Sequence, residues 1–229
     1  MKSLIFDAGP VISLATNNLL WVLEPLKKKF DGNFYITESV RGELVDRPLE
    51  TKKFKFEAIQ VESLIEKGVL EIIDNNFIRE STPRLLNIAN EIFKAYDNYM
   101  KIVHFAEMSV IAAAISMNSE AIVIDEKTTR FLIENPRLIV EILKKTLHTQ
   151  ISINENNLKE FNNTAKNIKA IRSIELATIA YELGLLNSYI TKIADARKNL
   201  LEGVLWGLKL NGCAVSRDEI DQIVRIETK

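Results

Sequence analysis

The chain has 229 residues, 47% of them hydrophobic, and a formal net charge of -1, which is enough for one sizeable core and excludes a global basic field of the kind that non-specific nucleic-acid binders carry. A single cysteine, Cys213, excludes an intrachain disulfide, and two histidines are too few for a Cys/His zinc cluster. With no apolar leader and no run of 18 apolar residues, the expectation is a soluble, cytoplasmic protein with no membrane partner.

Leu4, Ile5 and Phe6 form an apolar run too short for a helix, which reads as a strand buried on both faces of a parallel sheet. It stops at Asp7, and Gly9 and Pro10 open a helix expected to reach Leu23, with Pro25 ending it. A carboxylate is thereby left at the carboxyl end of a buried strand, the edge where open α/β sheets bind ligands. Its plainer role is to favour the positive end of the following helix. A strand over Phe34 to Thr37 and a short helix over Glu38 to Val45 come next, with Glu43 beside the core residue Leu44 and Pro48 as the stop. Lys53 to Phe56 alternates Lys and Phe and is expected at a half-buried edge, a cation-aromatic surface being the other reading.

A helix over Glu57 to Lys67 and a strand over Val69 to Ile73 continue the β-α-β rhythm. Asp74 also follows an apolar run, a reminder that strand-end acids occur without a special role. Ser81, Thr82 and Pro83 predict the start of a long helix reaching Met100. Val103 to Met117 is apolar almost all round, so it reads as a buried central helix carrying Glu107 in its first turn. A carboxylate there needs a partner or a metal, because burying an uncompensated charge costs several kcal/mol. Ala121 to Ile124 repeats the opening pattern, a buried strand ending on Asp125, then Glu126 and a helix start. Helices are expected over Pro136 to Leu147, Glu155 to Lys169, Ser173 to Leu183 and Ser188 to Leu210, with a short strand at Ile168 to Ile171 and a capping box of Ser216 and Glu219.

Strand-Asp7, helix-Glu43, buried-helix Glu107 and strand-Asp125 occur in LIFDAGPVISLA, ITESVRGEL, HFAEMSVIAAAI and AIVIDEKTTR. In this order and spacing the chain resembles the PIN domain family over about its first 130 residues. RSIELATIAYELGLL and LKLNGCAVSRDEI are similar to the end of one bacterial and archaeal PIN branch. The resemblance implies a three-layer α/β/α fold with a central parallel sheet over 1–130, a helical insertion over 131–170, and the end of the core with C-terminal helices over 171–229. It also implies a metal-dependent endoribonuclease acting on RNA or single-stranded nucleic acid, with an antitoxin-like protein and a second copy of the chain as candidate partners. Mg²⁺ or Mn²⁺ suits an all-carboxylate site. On that footing Asp7 and Asp125 are direct ligands, Glu107 is a ligand or a base, Glu43 is a further catalytic acid, and Glu126 supports a second metal position. Arg41, Lys127 and Arg130, each near one of these acids, are the candidate nucleic-acid contacts.

The chain departs from that branch where Gly-Glu usually precedes Ala-Glu: His104-Phe105 stand there instead, and one acid is absent. His104, three residues before Glu107, is placed to hydrogen-bond it. The alternative function is a PIN-like module that binds nucleic acid or protein and has lost hydrolysis. A haloacid-dehalogenase-type phosphohydrolase is disfavoured, because the second acid it needs falls at Gly9, and no glycine-rich lysine motif for a P-loop is present.

Overall fold

The structure, a computed structural model, describes residues 2–228. Five parallel strands form the central sheet in the order β3-β2-β1-β6-β8: β1 (Ser3–Phe6), β2 (Asn33–Thr37), β3 (Glu71–Ile73), β6 (Ala121–Val123) and β8 (Ala170–Ile171). Every residue of β1 and β6 is buried, as a parallel sheet covered by helices on both faces requires. From β1 the chain steps outward to β2 and β3, then returns to the other side of β1 to lay down β6. Right-handed crossovers therefore put α1 (Ala8–Thr16), α2 (Leu23–Phe30) and α5 (Lys55–Glu66) on one face, and α6 (Asn76–Asn90) with α7 (Phe105–Met117) on the other. The reversal makes the carboxyl ends of β1 and β6 a topological switch point, the place where sheets of this kind bind ligands.

Several boundaries differ from the sequence reading for identifiable reasons. The first helix stops at Thr16, because Asn18 turns left-handed at φ 55°. Pro25 then sits in the first turn of α2 rather than ending a helix. Glu38–Arg41 (α3) runs into a π-helical turn, Gly42–Asp46, and Pro48 lies in the first turn of α4 (Arg47–Glu50). Lys53 to Phe56 forms no edge strand but the entry to α5, with Phe54 at φ 61° and Phe56 68% exposed.

Helix α6 begins at Asn76, capped by Asn75, and carries Pro83 in its interior. It ends at Asn90 rather than Met100, so Ile92, Phe93 and Tyr96 lie beyond it. Phe93–Ala95 (β4) and Asn98–Tyr99 (β5) instead form a hairpin. Ile151–Ile153 (β7), inside the segment expected to be helical, pairs antiparallel with β4 and completes a second, three-stranded sheet. The remaining helices are α8 (Lys127–Glu134), α9 (Pro136–Leu147), α10 (Glu155–Ala165), α11 (Ser173–Glu182), α12 (Ala196–Leu210) and α13 (Arg217–Glu227). Residues 190–195 are irregular between a 3-10 turn at Leu185–Tyr189 and α12, so the expected Ser188 to Leu210 helix is broken. The Ser216 and Glu219 capping box is present. No helix among the described residues is long and apolar enough to cross a membrane.

Candidate active site

Asp7 and Asp125 lie side by side at the switch point. Parallel pairing sets Phe6 opposite Val123, and the Asp7 N–H donates to the Val123 carbonyl at 2.9 Å. Gly9 fits between the two acids: a Cβ there would stand 3.6 Å from both Asp7 Oδ2 and Asp125 Cβ. Asp7 is the N-cap of α1 and accepts from the Gly9 N–H at 3.5 Å, a long bond that leaves most of its charge uncompensated.

Glu107 enters from the first turn of buried helix α7. Its Oε2 accepts from the His104 backbone N–H at 3.0 Å and from the Thr129 hydroxyl at 2.8 Å. The bond expected from the His104 side chain is therefore supplied by that residue's backbone, in N-capping geometry.

The electrostatics select a set of acids somewhat different from the one expected. Burial and then the Glu107 charge push the Asp7 carboxyl up to about 7, the α1 amides oppose this, and Glu43 adds to it. Burial likewise raises Glu107, against the His104 and Thr129 hydrogen bonds and with help from the Glu126 charge. Asp7 and Glu107 thus sit at the centre, with Glu43 and Glu126 felt from either side. Glu43 lies in the π-helical turn, a deformation common at functional sites, and its carboxylate is 3.8 Å from Arg47. Glu126 caps α8 through the Thr129 N–H at 2.6 Å. Among the described residues, no Lys or Arg forms an ion pair with Asp7 or Glu107.

Asp125, expected to be a direct ligand, has both oxygens engaged by the protein. Oδ1 accepts from the Ser173 N–H at 2.7 Å, and Oδ2 from the hydroxyls of Ser173 at 2.7 Å and Ser13 at 2.9 Å. It ties the end of β6 to α1 and to the start of α11, while Glu126 caps the helix that follows. The Cys213 thiol is pushed up to about 12 by burial and then by the Asp125 charge, which makes it inert rather than nucleophilic. Among the described residues, no group of three or more His, Cys, Asp or Glu meets metal-holding geometry. Asp125, expected to share a cation with Asp7 and Glu107, has its oxygens taken up instead by Ser13 and Ser173. The remaining donors, two coupled buried carboxylates with two more nearby, still have the chemistry of a hard-cation site, since oxygen ligands and excess negative charge are what Mg²⁺ or Mn²⁺ requires.

The three candidate cations differ in availability. Arg41 is committed to Asp46 at 2.8 and 3.0 Å, with Glu62 3.7 Å away. Lys127 and Arg130 both lie over the Phe131 ring, 5.4 and 5.0 Å from its centroid. Arg130 has a long ion pair to Glu134 at 3.6 Å and a buried Nε without a hydrogen-bond partner. Asp74 is held by Arg79 in a two-oxygen contact, so that strand-end acid is structural.

Ser13, Thr129 and Ser173 escaped the sequence reading. Single hydroxyls carry no pattern, and their partners are 22 to 112 residues away. A family model described as PIN domain matches residues 3–140, more than half of the chain. No curated protein and no solved structure matches.

Proposed function

Because the chain belongs to the PIN domain family, whose fold is nuclease-like, we propose that it is a metal-dependent endoribonuclease cleaving RNA or single-stranded nucleic acid. The observation that carries this reading is the Asp7–Glu107 pair, buried, with the Glu107 charge raising Asp7 and no Lys or Arg ion pair to either acid among the described residues. Asp7 and Glu107 would hold Mg²⁺ or Mn²⁺, with Glu43 and Glu126 adding negative charge from either side. When bound, such an ion supplies charge against the scissile phosphate and lowers the pKa of an attacking water.

The chain's own residues do the rest. His104 N–H and Thr129 both grip Glu107 Oε2, which fixes the carboxylate and leaves Oε1 to orient a substrate water. Glu43, half-exposed on the rim, accepts the proton that this water releases. Lys127 and Arg130, both against the Phe131 ring, meet the phosphates beside the cleaved bond. Arg41 contributes least, since its charge is already neutralised. Asp125 acts as a positioning residue that locks the β6 end beside Asp7. An antitoxin-like protein and a second copy of the chain remain candidate partners by family membership.

The second reading, a PIN-like binding module without hydrolysis, is favoured by the commitment of Asp125 to serine donors. Incubating the protein with single-stranded RNA, with and without Mn²⁺, separates the two. The nuclease reading expects metal-dependent cleavage that falls on the order of 10²–10³-fold in Glu107→Gln. RNA binding without cleavage by the wild type would support the module.

A further inference from the structure

Lys52-Lys53-Phe54-Lys55-Phe56 joins α4 to α5 and opens the latter. All five residues are exposed, Phe56 at 68%, whereas aromatic rings ordinarily gain their stability from burial. Thr51 fixes the start of the turn, its hydroxyl lying 3.1 Å from the Pro48 carbonyl and 2.9 Å from that of Lys53. Phe54, left-handed at φ 61°, makes the corner into α5, and Lys53 Nζ lies 4.7 Å from its ring centroid. Among the described residues, Lys52, Lys53 and Lys55 form no ion pair, and no other ring or cation lies against Phe56.

The turn adjoins the acid site through Phe54. Phe54 and Glu43 line one small, mainly apolar pocket of about 40 Å³, together with Ile12, Leu44, Glu57 and Val61. Ile12 lies on α1, the helix that Asp7 caps, and the Glu43 charge is one of those that raise the Asp7 carboxyl. Arg47, whose side chain is 78% exposed, stands one helical turn after Glu43 and 3.8 Å from its carboxylate, so a further cation follows that acid on the way to the turn. Glu50 and Glu57 flank the three lysines, which leaves the segment a small positive excess in a chain of net charge -1. Its attraction for an anion is therefore short-range, felt by a phosphate chain already at the surface.

We propose that this turn is an outer grip on a single-stranded RNA: Lys52, Lys53 and Lys55 meet its phosphates and one base stacks on Phe56, while the strand runs past Glu43 to the acids. The destination of the strand, Asp7 and Glu107, rests on the nuclease reading above. A polyanion that carries flat, unpaired rings matches both halves of the turn. Ammonium groups take phosphates as point charges, and an uncovered phenyl ring takes any base, because every base has a π-face. A duplex would satisfy the lysines alone, since its bases stay stacked on one another.

The test is the anisotropy of labelled single-stranded RNA titrated with metal-free protein over a series of salt concentrations, beside Mn²⁺-dependent cleavage of a long single strand and of a dinucleotide. Lys52→Ala, Lys53→Ala and Lys55→Ala together should weaken binding and reduce the slope of log affinity against log salt by about 2. Phe56→Ala should weaken binding about tenfold with the slope unchanged, and Phe56→Trp should keep the wild-type affinity. In the lysine and Phe56→Ala forms KM for the long strand should rise, while kcat and cleavage of the dinucleotide, which the acids alone can hold, stay as in wild type. Unchanged melting temperatures should show that these exposed side chains are dispensable for folding. Wild type that binds and cleaves the long strand while both forms match it in affinity, salt slope and KM would overturn the grip and leave the nuclease reading intact. RNA binding that depends on Phe56 but comes without cleavage would overturn the nuclease reading alone. Wild type that binds vesicles of anionic phospholipid and no RNA would overturn the grip in favour of a membrane surface.

Discussion

Asp125→Ala is expected to destabilise the metal-free protein by about 3–5 kcal/mol. The carboxylate is 2% exposed and accepts three hydrogen bonds from two helices. Truncation leaves the Ser173 N–H at the start of α11 without its acceptor and opens a polar hole against Cys213. In a chain of this length the loss corresponds to roughly 10 °C in melting temperature. Asp125→Asn should cost far less. Its Oδ1 can keep the Ser173 N–H, and the Ser13 hydroxyl can give its proton to the Asn211 carbonyl, 3.3 Å away, while accepting from the new amide. Thermal melting without metal decides the matter, and an alanine form as stable as wild type would show that the serine contacts contribute nothing.

The second large effect concerns pH. Burial and the Glu107 charge push the folded Asp7 carboxyl up to about 7 from its ordinary 3.8, so the folded protein holds a proton that the unfolded chain has released. The favourable contribution is therefore fully present below about pH 4 and is lost as pH rises through 7. Over the whole window it amounts to about 4 kcal/mol, and about half of that falls between pH 5.5 and 8. Glu107, also raised by burial, adds in the same direction. Asp7→Asn keeps the N-cap of α1, since Asn caps as well as Asp, but has no proton to lose. Denaturant unfolding of both forms across pH 5.5–8 should show wild type weakening with pH while the Asn form stays nearly flat and is the more stable at pH 8. Parallel slopes in the two forms would remove Asp7 as the strained charge at the switch point.

The contrast between Asp7 and Asp125 shows what could be read from the chain alone. Both end continuous apolar runs before a helix start, and that pattern located both at one edge of the sheet, because strand burial and helix capping are local properties. Their divergence depends on Ser13 and Ser173, distant in sequence and brought to Asp125 only by packing of α1 and α11. The π-helical turn around Glu43 is likewise invisible in a segment whose spacing reads as ordinary helix. The β4–β5 hairpin was hidden for another reason. Ile88, Ile92 and Phe93 mimic a helical stripe, whereas Asn90 ends the helix by taking the Ile102 and Val103 N–H groups with its side chain. A β4–β7 pairing across more than fifty residues then captures Phe93.

The most direct test of the central claim, that Asp7 and Glu107 form a hard-cation site, is Mn²⁺ binding to metal-free protein at pH 8, measured by calorimetry and by the loss of the free-ion paramagnetic resonance signal. Wild type should bind Mn²⁺. Asp7→Asn should lose more than the roughly 10–100-fold that removal of a supporting group costs, and Glu107→Gln should do the same. Asp125→Asn, with its oxygens already committed to serine donors, should stay close to wild type. Equal Mn²⁺ affinity in wild type and Asp7→Asn, or a larger loss in Asp125→Asn than in Asp7→Asn, would contradict the assignment.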